Sequence, residues 1–324
     1  MHSNSNQHEV LVGVDIGGTK TAVVLSKSPP EVIWRSQFPT RPDLGPDQAV
    51  EKIVGLICQG LTQTAAAPAS IGVSCGSPLD RVAGVIQRPP NLDSWDNVPI
   101  KDILEKKFGV RCMVENDANA GAVAEHQFGA GRGCQHLVFV TMGTGFGAGL
   151  ILNGHIFRGA CAMAGEIGHV RLTPDGPNGY GKAGSLEGWA SGAGMARHGR
   201  EMVRAAIAAG SPTALAENVD CLTARDIGAA LAAGDPLAIR IVQETGRRLG
   251  DALALLVDLL NPERILIGGL ALRLGEHLLG PARERMLEEA LPAAANACRI
   301  GPAELGESIG DVAALGVAMG LHEI

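Results

Sequence analysis

A chain of 324 residues, 46% of them hydrophobic, is long enough for two packed domains, each with its own core. Its formal charge of -7, with Lys and Arg scattered, gives no electrostatic footprint for a nucleic-acid backbone or an anionic membrane, so neither is expected as a partner. No apolar stretch is long enough to span a bilayer, residues 1–9 are polar without an apolar leader, and the cysteines form no CxxC pair; a cytoplasmic protein with reduced thiols is expected.

In chain order, residues 10–14 are apolar and β-branched, Asp15-Ile16-Gly17-Gly18-Thr19-Lys20 turns, and residues 21–25 are apolar again. This predicts a strand, a glycine turn and a returning strand. The tip reads either as an ordinary hairpin turn or as a phosphate loop, whose backbone N–H groups converge on an anion while Asp15 orients Mg²⁺ through its water shell. Residues 47–63 have the pattern of an amphipathic helix, and residues 64–68 read as a small-residue linker before the buried strand at Ile71-Gly72-Val73. In the tight loop that follows, residues 74–80, Gly76 lets backbone approach a ligand, and Cys75 is either a small buried thiol or a nucleophile. Pro89-Pro90-Asn91-Leu92, with Trp95, makes a stiff loop that is either plain surface or a substrate contact. Residues 100–108 form the next predicted helix.

An apolar run at residues 110–114 then meets an Ala-rich helical pattern at 118–126, which sets Asn116 and Asp117 at a strand-to-helix junction. Open α/β folds bind ligands at such junctions, so Asp117 is a candidate base for a bound hydroxyl; the alternative is that these residues cap the helix. Residues 137–141, the turn Met142-Gly143-Thr144-Gly145-Phe146-Gly147 and residues 148–152 repeat the opening strand–glycine–strand pattern. That repeat implies two similar domains, each with a phosphate loop, and ATP between them. Asn153-Gly154 closes a further hairpin. In Gly165-Glu166-Ile167-Gly168-His169, Glu166 and His169 are three apart and share a face on a helical turn.

A Gly/Pro-rich loop, residues 175–184, leads through Ser185-Leu186-Glu187 into a helix reaching 195. Residues 222–233 and 237–260 read as helices, the second apolar almost all round and therefore largely buried. Residues 264–267 form a buried strand ending in Gly268-Gly269, and residues 273–290 and 311–321 complete the helices.

Assembled, these residues resemble the ROK family of ATP-dependent sugar kinases over nearly the whole chain. The carriers are D-I-G-G-T-K (15–20), P-N-L (90–92), E-N-D-A-N-A (115–120), G-T-G-F-G-A-G (143–149), G-E-I-G-H (165–169), L-E-x-x-A-S-G (186–192) and N-P-E-x-I-x-I-G-G (261–269). The resemblance implies an α/β fold of the two-domain actin-like (ribonuclease-H-like) ATPase kind with a ligand cleft between the domains. Residues 9–118, joined by the C-terminal helix 311–324, would form the small domain and residues 119–310 the large one. It further implies a homodimer, ATP and Mg²⁺, and transfer of phosphate to the 6-hydroxyl of a hexose with Asp117 as the base. Glucose is the first choice of sugar, with N-acetylmannosamine, allose and fructose as alternatives.

By the same resemblance Asp15, Gly17, Gly18, Thr19 and Lys20 serve the phosphates and Mg²⁺ from one side, Gly143, Thr144 and Gly145 from the other, and Gly268 and Gly269 border the adenosine. Gly76, Asn91, Asn116, Asp117, Glu166, His169 and Glu187 meet the sugar. One departure stands out. The family carries C-x-C-G-x-x-G-C-L-E after its G-E-I-G-H motif, three thiolates that bind structural zinc together with the histidine; here those positions are Asn178, Tyr180 and Ser185, so no zinc is expected. Tyr180 is expected to pack over the vacated space and the Ser185 hydroxyl to fix the turn. The adenosine-side glycine triplet also departs, reading Gly268-Gly269-Leu270. The family also holds repressors with an N-terminal winged helix. Only residues 1–9 precede the first strand here, which disfavours a sugar-sensing regulator, and the polar cluster disfavours an actin-like ATPase with no sugar to bind.

Overall fold

Two runs of β-branched residues, each broken by a glycine turn, start two sheets of the same design. The computed structural model describes residues 8–323; the polar segment 1–7, taken above as lacking a leader, and residue 324 lie outside them. Contacts divide the chain into two units, one running to Gly129 and resuming at Glu307, the other Ala130–Gly306.

In the first unit, β1 (His8–Ile16), β2 (Lys20–Ser26) and β3 (Trp34–Pro39) form an antiparallel meander. Helix α1 (Pro46–Thr64) then leads to β4 (Ala66–Cys75), the short strands β5 (Leu79–Asp80) and β6 (Val85–Ile86), α2 (Ile100–Phe108), β7 (Cys112–Asn116) and α3 (Asp117–Phe128). β4 pairs parallel with β1 and β7 parallel with β4, giving the order β3-β2-β1-β4-β7. The strand period of two places Val12 and Val14 toward the core with Ile53, Ile57 and Leu104. Gly13 and Gly72, facing the other way, lie against the C-terminal helix.

The second unit opens with β8 (Leu137–Met142), β9 (Phe146–Leu152) and β10 (His155–Phe157), again antiparallel. It continues through the two-residue strands β11 (Asn178–Gly179) and β12 (Lys182–Ala183), then α4 (Leu186–Ala190), α5 (Gly192–Ala208), α6 (Ala224–Ala232) and α7 (Pro236–Leu260). After these come β13 (Arg264–Gly269), α8 (Leu270–Leu274), α9 (Glu276–Glu289), α10 (Pro292–Ala297) and β14 (Arg299–Pro302). Its order, β10-β9-β8-β13-β14, with β13 parallel to both β8 and β14, repeats the first sheet strand for strand. The last helix, α11 (Ile309–Ala318), returns to the first unit, where Ser70 Oγ donates to the Ala318 carbonyl at 2.6 Å.

Several expectations need correction. Residues 66–68 are not linker but the start of β4, paired with His8, Glu9 and Val10, because an edge that exposes unpaired backbone recruits even Ala and Pro into the ladder. The helix expected to reach residue 195 breaks at Ser191, whose extended backbone and side chain cap α5 through the Gly194 N–H, and α5 runs on to Ala208. The one expected over 273–290 is divided by Gly275, at φ 54°. α7 is not buried all round: Arg240, Arg247, Asp258 and Leu259, the last 77% exposed, lie along a solvent stripe. The chain divides after Gly129 rather than after residue 118, because α3 packs against α11 and stays with the first unit. Among the described residues, no helix is long and apolar enough to cross a membrane.

Candidate active site

The turn after β1 is closed by the Gly17 N–H on the Lys20 carbonyl at 3.0 Å and braced from outside by Thr40, whose hydroxyl donates to the Gly17 carbonyl at 2.6 Å. Neither Gly17 nor Gly18 has a left-handed backbone. What requires glycine at 18 is closeness: a Cβ there would sit 2.5 Å from the Asn91 Cβ. The turn expected to hold phosphate is therefore packed directly on the loop expected to hold sugar. Thr19 and Lys20 are exposed at its tip.

Asp15, at the end of β1, faces Gly310 in the first turn of α11, where any side chain would collide with its carboxylate. Burial pushes its pKa up to about 7; the carboxylates of Asp117 and Asp311 add to this and Lys20 and Arg35 oppose it. Arg35 is itself held by Asp311 at 2.6 Å.

Asn116 is the cap: its Oδ1 accepts from the Ala118 and Asn119 N–H groups at 3.0 and 3.1 Å. Its Nδ2 donates to Ser77 Oγ at 2.8 Å and faces Asp117 Oδ1 at 3.3 Å. Both ends of the Asn116 amide are thus engaged within the protein, and the side chain serves to aim its neighbour. Asp117 opens α3, with Oδ1 on the Ala118 N–H at 2.8 Å and its carboxylate accessible to water. Surrounding protein nevertheless raises its pKa, against the lowering effect of that backbone bond. Gly76 borders the same loop with open space over its Cα; the nearest neighbour a Cβ would meet is Pro89, at 4.0 Å. Cys75 is fully buried and its pKa is raised, burial being the main cause, which leaves it an inert thiol.

In the second unit the corresponding turn joins β8 to β9. Gly143 has open space above it, and its carbonyl accepts from the Gly192 N–H at 2.8 Å. Glu187, on α4, reaches this turn: its Oε2 accepts from the Phe146 N–H at 3.1 Å and lies as close to where a Gly145 Cβ would be. The Gly165-Glu166-Ile167-Gly168-His169 segment lies flush on β9. Gly165, at φ 94°, donates no side chain into the Ala148 carbonyl it covers, and Gly168 does the same over Phe146. A 3-10 turn at Ile167–His169 follows Glu166, its N-cap, whose carbonyl accepts from the His169 N–H at 3.1 Å. Gly268 lies against Phe139 near the end of β13, and Gly269, its last residue, at φ 69°, turns the chain into α8.

A structural zinc does not fit. Ser185 Oγ is buried and already bonded, accepting from the Gly188 N–H at 3.2 Å and donating to the Gly179 carbonyl at 3.3 Å. The Tyr180 ring packs edge-on to the His169 ring at 4.7 Å and is otherwise exposed. A neutral amide, a phenol and an engaged hydroxyl are not a zinc donor set. Sequence reading missed Thr40, Ser77, Gly310 and the Arg35–Asp311 pair; only the Ser77 loop had been singled out, for its glycine rather than its hydroxyl.

The profile of the ROK family matches residues 11–320. The chain belongs to the ROK family. A glucokinase from Halalkalibacterium halodurans is 34% identical over 307 residues, 92% of each chain. Among solved structures, a ROK family glucokinase from Streptomyces griseus in complex with glucose and AMPPNP superposes with a TM-score of 0.79 at 31% identity, over 96% of this chain and 99% of that one. A ROK family transcriptional regulator, a homologue of the E. coli MLC protein, superposes with a TM-score of 0.84 at 26% identity, over 98% of this chain and 80% of that one. The repeated five-stranded sheet is the two-domain actin-like, ribonuclease-H-like architecture of these ROK proteins.

Proposed function

We propose that this chain is an ATP-dependent hexose kinase that transfers the γ-phosphoryl group to the 6-hydroxyl, with glucose the foremost substrate and N-acetylmannosamine, allose and fructose the alternatives. The observation that carries the reading is Asp117: a carboxylate of raised pKa, open to water, aimed by a fully engaged Asn116 and sharing its unit with the Gly18–Asn91 contact. Support also comes from the glucokinase of Streptomyces griseus, which holds a glucose and an ATP analogue on the same fold.

In this reading Asp117 accepts the proton of the 6-hydroxyl as that oxygen attacks the γ-phosphorus in line. Asn91 in the first unit, and Glu166, His169 and Glu187 in the second, hold the remaining hydroxyls. The turns at Gly17, Gly18 and Thr19 and at Gly143, Thr144 and Gly145 hold the phosphates, and Gly268 and Gly269 border the adenosine. Mg²⁺, when bound, would neutralise phosphate charge, and Asp15, a carboxylate beside a phosphate turn, would orient it through its water shell, since this ion usually keeps several waters.

The likeness to the MLC homologue favours a second reading, a sugar sensor that binds without turnover. ADP release measured across a panel of hexoses and N-acetylhexosamines, with a sugar-free blank, separates the two. Release that depends on sugar supports the kinase; sugar binding without ADP release supports the sensor.

A further inference from the structure

The loop between the Gly165–His169 segment and α4 has no metal donor set, yet it is fastened at many points, two of them on one side chain. Trp189 lies two residues beyond Glu187 and is buried, at 9% exposure. Its Nε1 donates to Thr173 Oγ1 at 2.9 Å, and Thr173 passes its own hydroxyl proton to the Asp175 carbonyl at 2.6 Å. Gly176 lies flat on the indole: a Cβ there would stand 2.5 Å from Trp189 Cζ2. The Arg248 guanidinium sits 4.7 Å above the ring, held in turn by Glu244 at 3.1 Å, and the His198 ring meets it edge-on at 5.0 Å. The indole is thus in contact with α5, α7 and the loop.

Past that clasp the loop reaches His169. Tyr180 packs on the His169 ring, and Lys182 Nζ donates to the His169 carbonyl at 2.8 Å. Leu172, Thr173 and Gly184 close the loop base through backbone bonds, the first two to the Gly184 carbonyl and the third to Pro177. A hydrogen bond and a glycine contact tie the loop to one rigid ring, on which Arg248 of α7 and His198 of α5 also pack.

We infer that Trp189 is the positioning residue that fixes the 173–184 loop and, through Tyr180 and Lys182, sets His169 for the sugar; the inference rests on the sugar-kinase reading for its last step. Trp189 is not a catalytic residue, since nothing places it on the substrate. Its effect should fall on sugar affinity and spare the nucleotide.

The test joins hydrogen exchange to kinetics. In the ligand-free protein the amides of Leu172, Thr173 and Gly184 should exchange at least tenfold faster in Trp189→Ala than in wild type, while the amides of β8 and β13 keep their rates. Wild-type rates should not change after treatment with a zinc chelator. Trp189→Phe, which keeps an aromatic ring but loses the bond to Thr173 and the indole atoms that Gly176 covers, should fall between the two and covers the case in which the alanine variant does not fold. In steady state, Trp189→Ala should raise the KM for sugar at least fivefold and leave that for ATP within twofold. Unchanged loop exchange in either folded variant, faster wild-type exchange on chelation, or equal rises in both KM values would overturn the inference. Because exchange is read without substrate, a protein with no kinase activity but a loosened loop would fail the sugar-kinase reading and keep the clasp.

Discussion

Gly18 and Asn91 are packed so closely that a single added methyl at residue 18 would lie 2.5 Å from the Asn91 Cβ. The glycine turn and the Pro-Asn-Leu loop are thereby one mechanical piece. Gly18→Ala should displace Asn91, at a stability cost of about 1–3 kcal/mol for overpacking, and should raise the KM values for sugar and ATP together. Thermal melts and paired titrations check this. A change confined to ATP would show that the turn acts alone.

Glu187 makes the equivalent link in the second unit, through the Phe146 N–H. A hydrogen bond to a charged acceptor contributes roughly 1.5–3 kcal/mol, so Glu187→Ala should weaken binding of a non-hydrolysable ATP analogue about tenfold even with no sugar present. Glu187→Gln retains an acceptor for the N–H and should lose much less. Calorimetry on the sugar-free protein decides it: a residue serving only the sugar would leave nucleotide affinity where it was.

Asp15 makes the stability of the ligand-free protein depend on pH. Its carboxyl, ordinarily near 3.8, is pushed up to about 7 in the fold, chiefly by burial. Between those values the folded state keeps a proton that the unfolded state has lost. The contribution is therefore full below the unfolded pKa and is lost as pH rises through about 7, with a slope of at most one proton, about 1.4 kcal/mol per pH unit. Asp15→Asn should remove this slope and melt above wild type at pH 8. Parallel melting curves for the two proteins from pH 5 to 8 would contradict the assignment.

Much of this was legible in the sequence because its signals are local. A β-branched run, a glycine turn and a second run suffice to write a hairpin, and the recurrence of that pattern at residues 137–152 announced a second sheet of the same order. The Asn116–Asp117 junction was also visible, but the division of labour was not. Which residue caps and which remains free depends on Ser77, 39 residues away, reaching the Asn116 amide. The breaks at Ser191 and Gly275 escaped because helical periodicity carries across a single non-helical residue. Trp189 read as one more apolar position in a helix; its contacts with Gly176 and Arg248 arise only from tertiary folding.

Raised by burial, the Asp117 pKa places the acidic limb of the rate profile above the ordinary carboxylate range, since the base must be ionised to accept a proton. The rate should climb as pH rises through that value. Asp117→Asn should abolish the limb.

The most direct measurement is a paired one on Asp117→Asn and wild type: sugar affinity by calorimetry and sugar-dependent ADP release under saturating conditions. Asn116 remains the cap in both proteins, so no change in fold is expected. If Asp117 is the base of a hexose kinase, affinity for the sugar stays within a few-fold while kcat falls by roughly 10² to 10⁴. Turnover equal to wild type with lowered stability would show instead that Asp117 serves only the start of its helix.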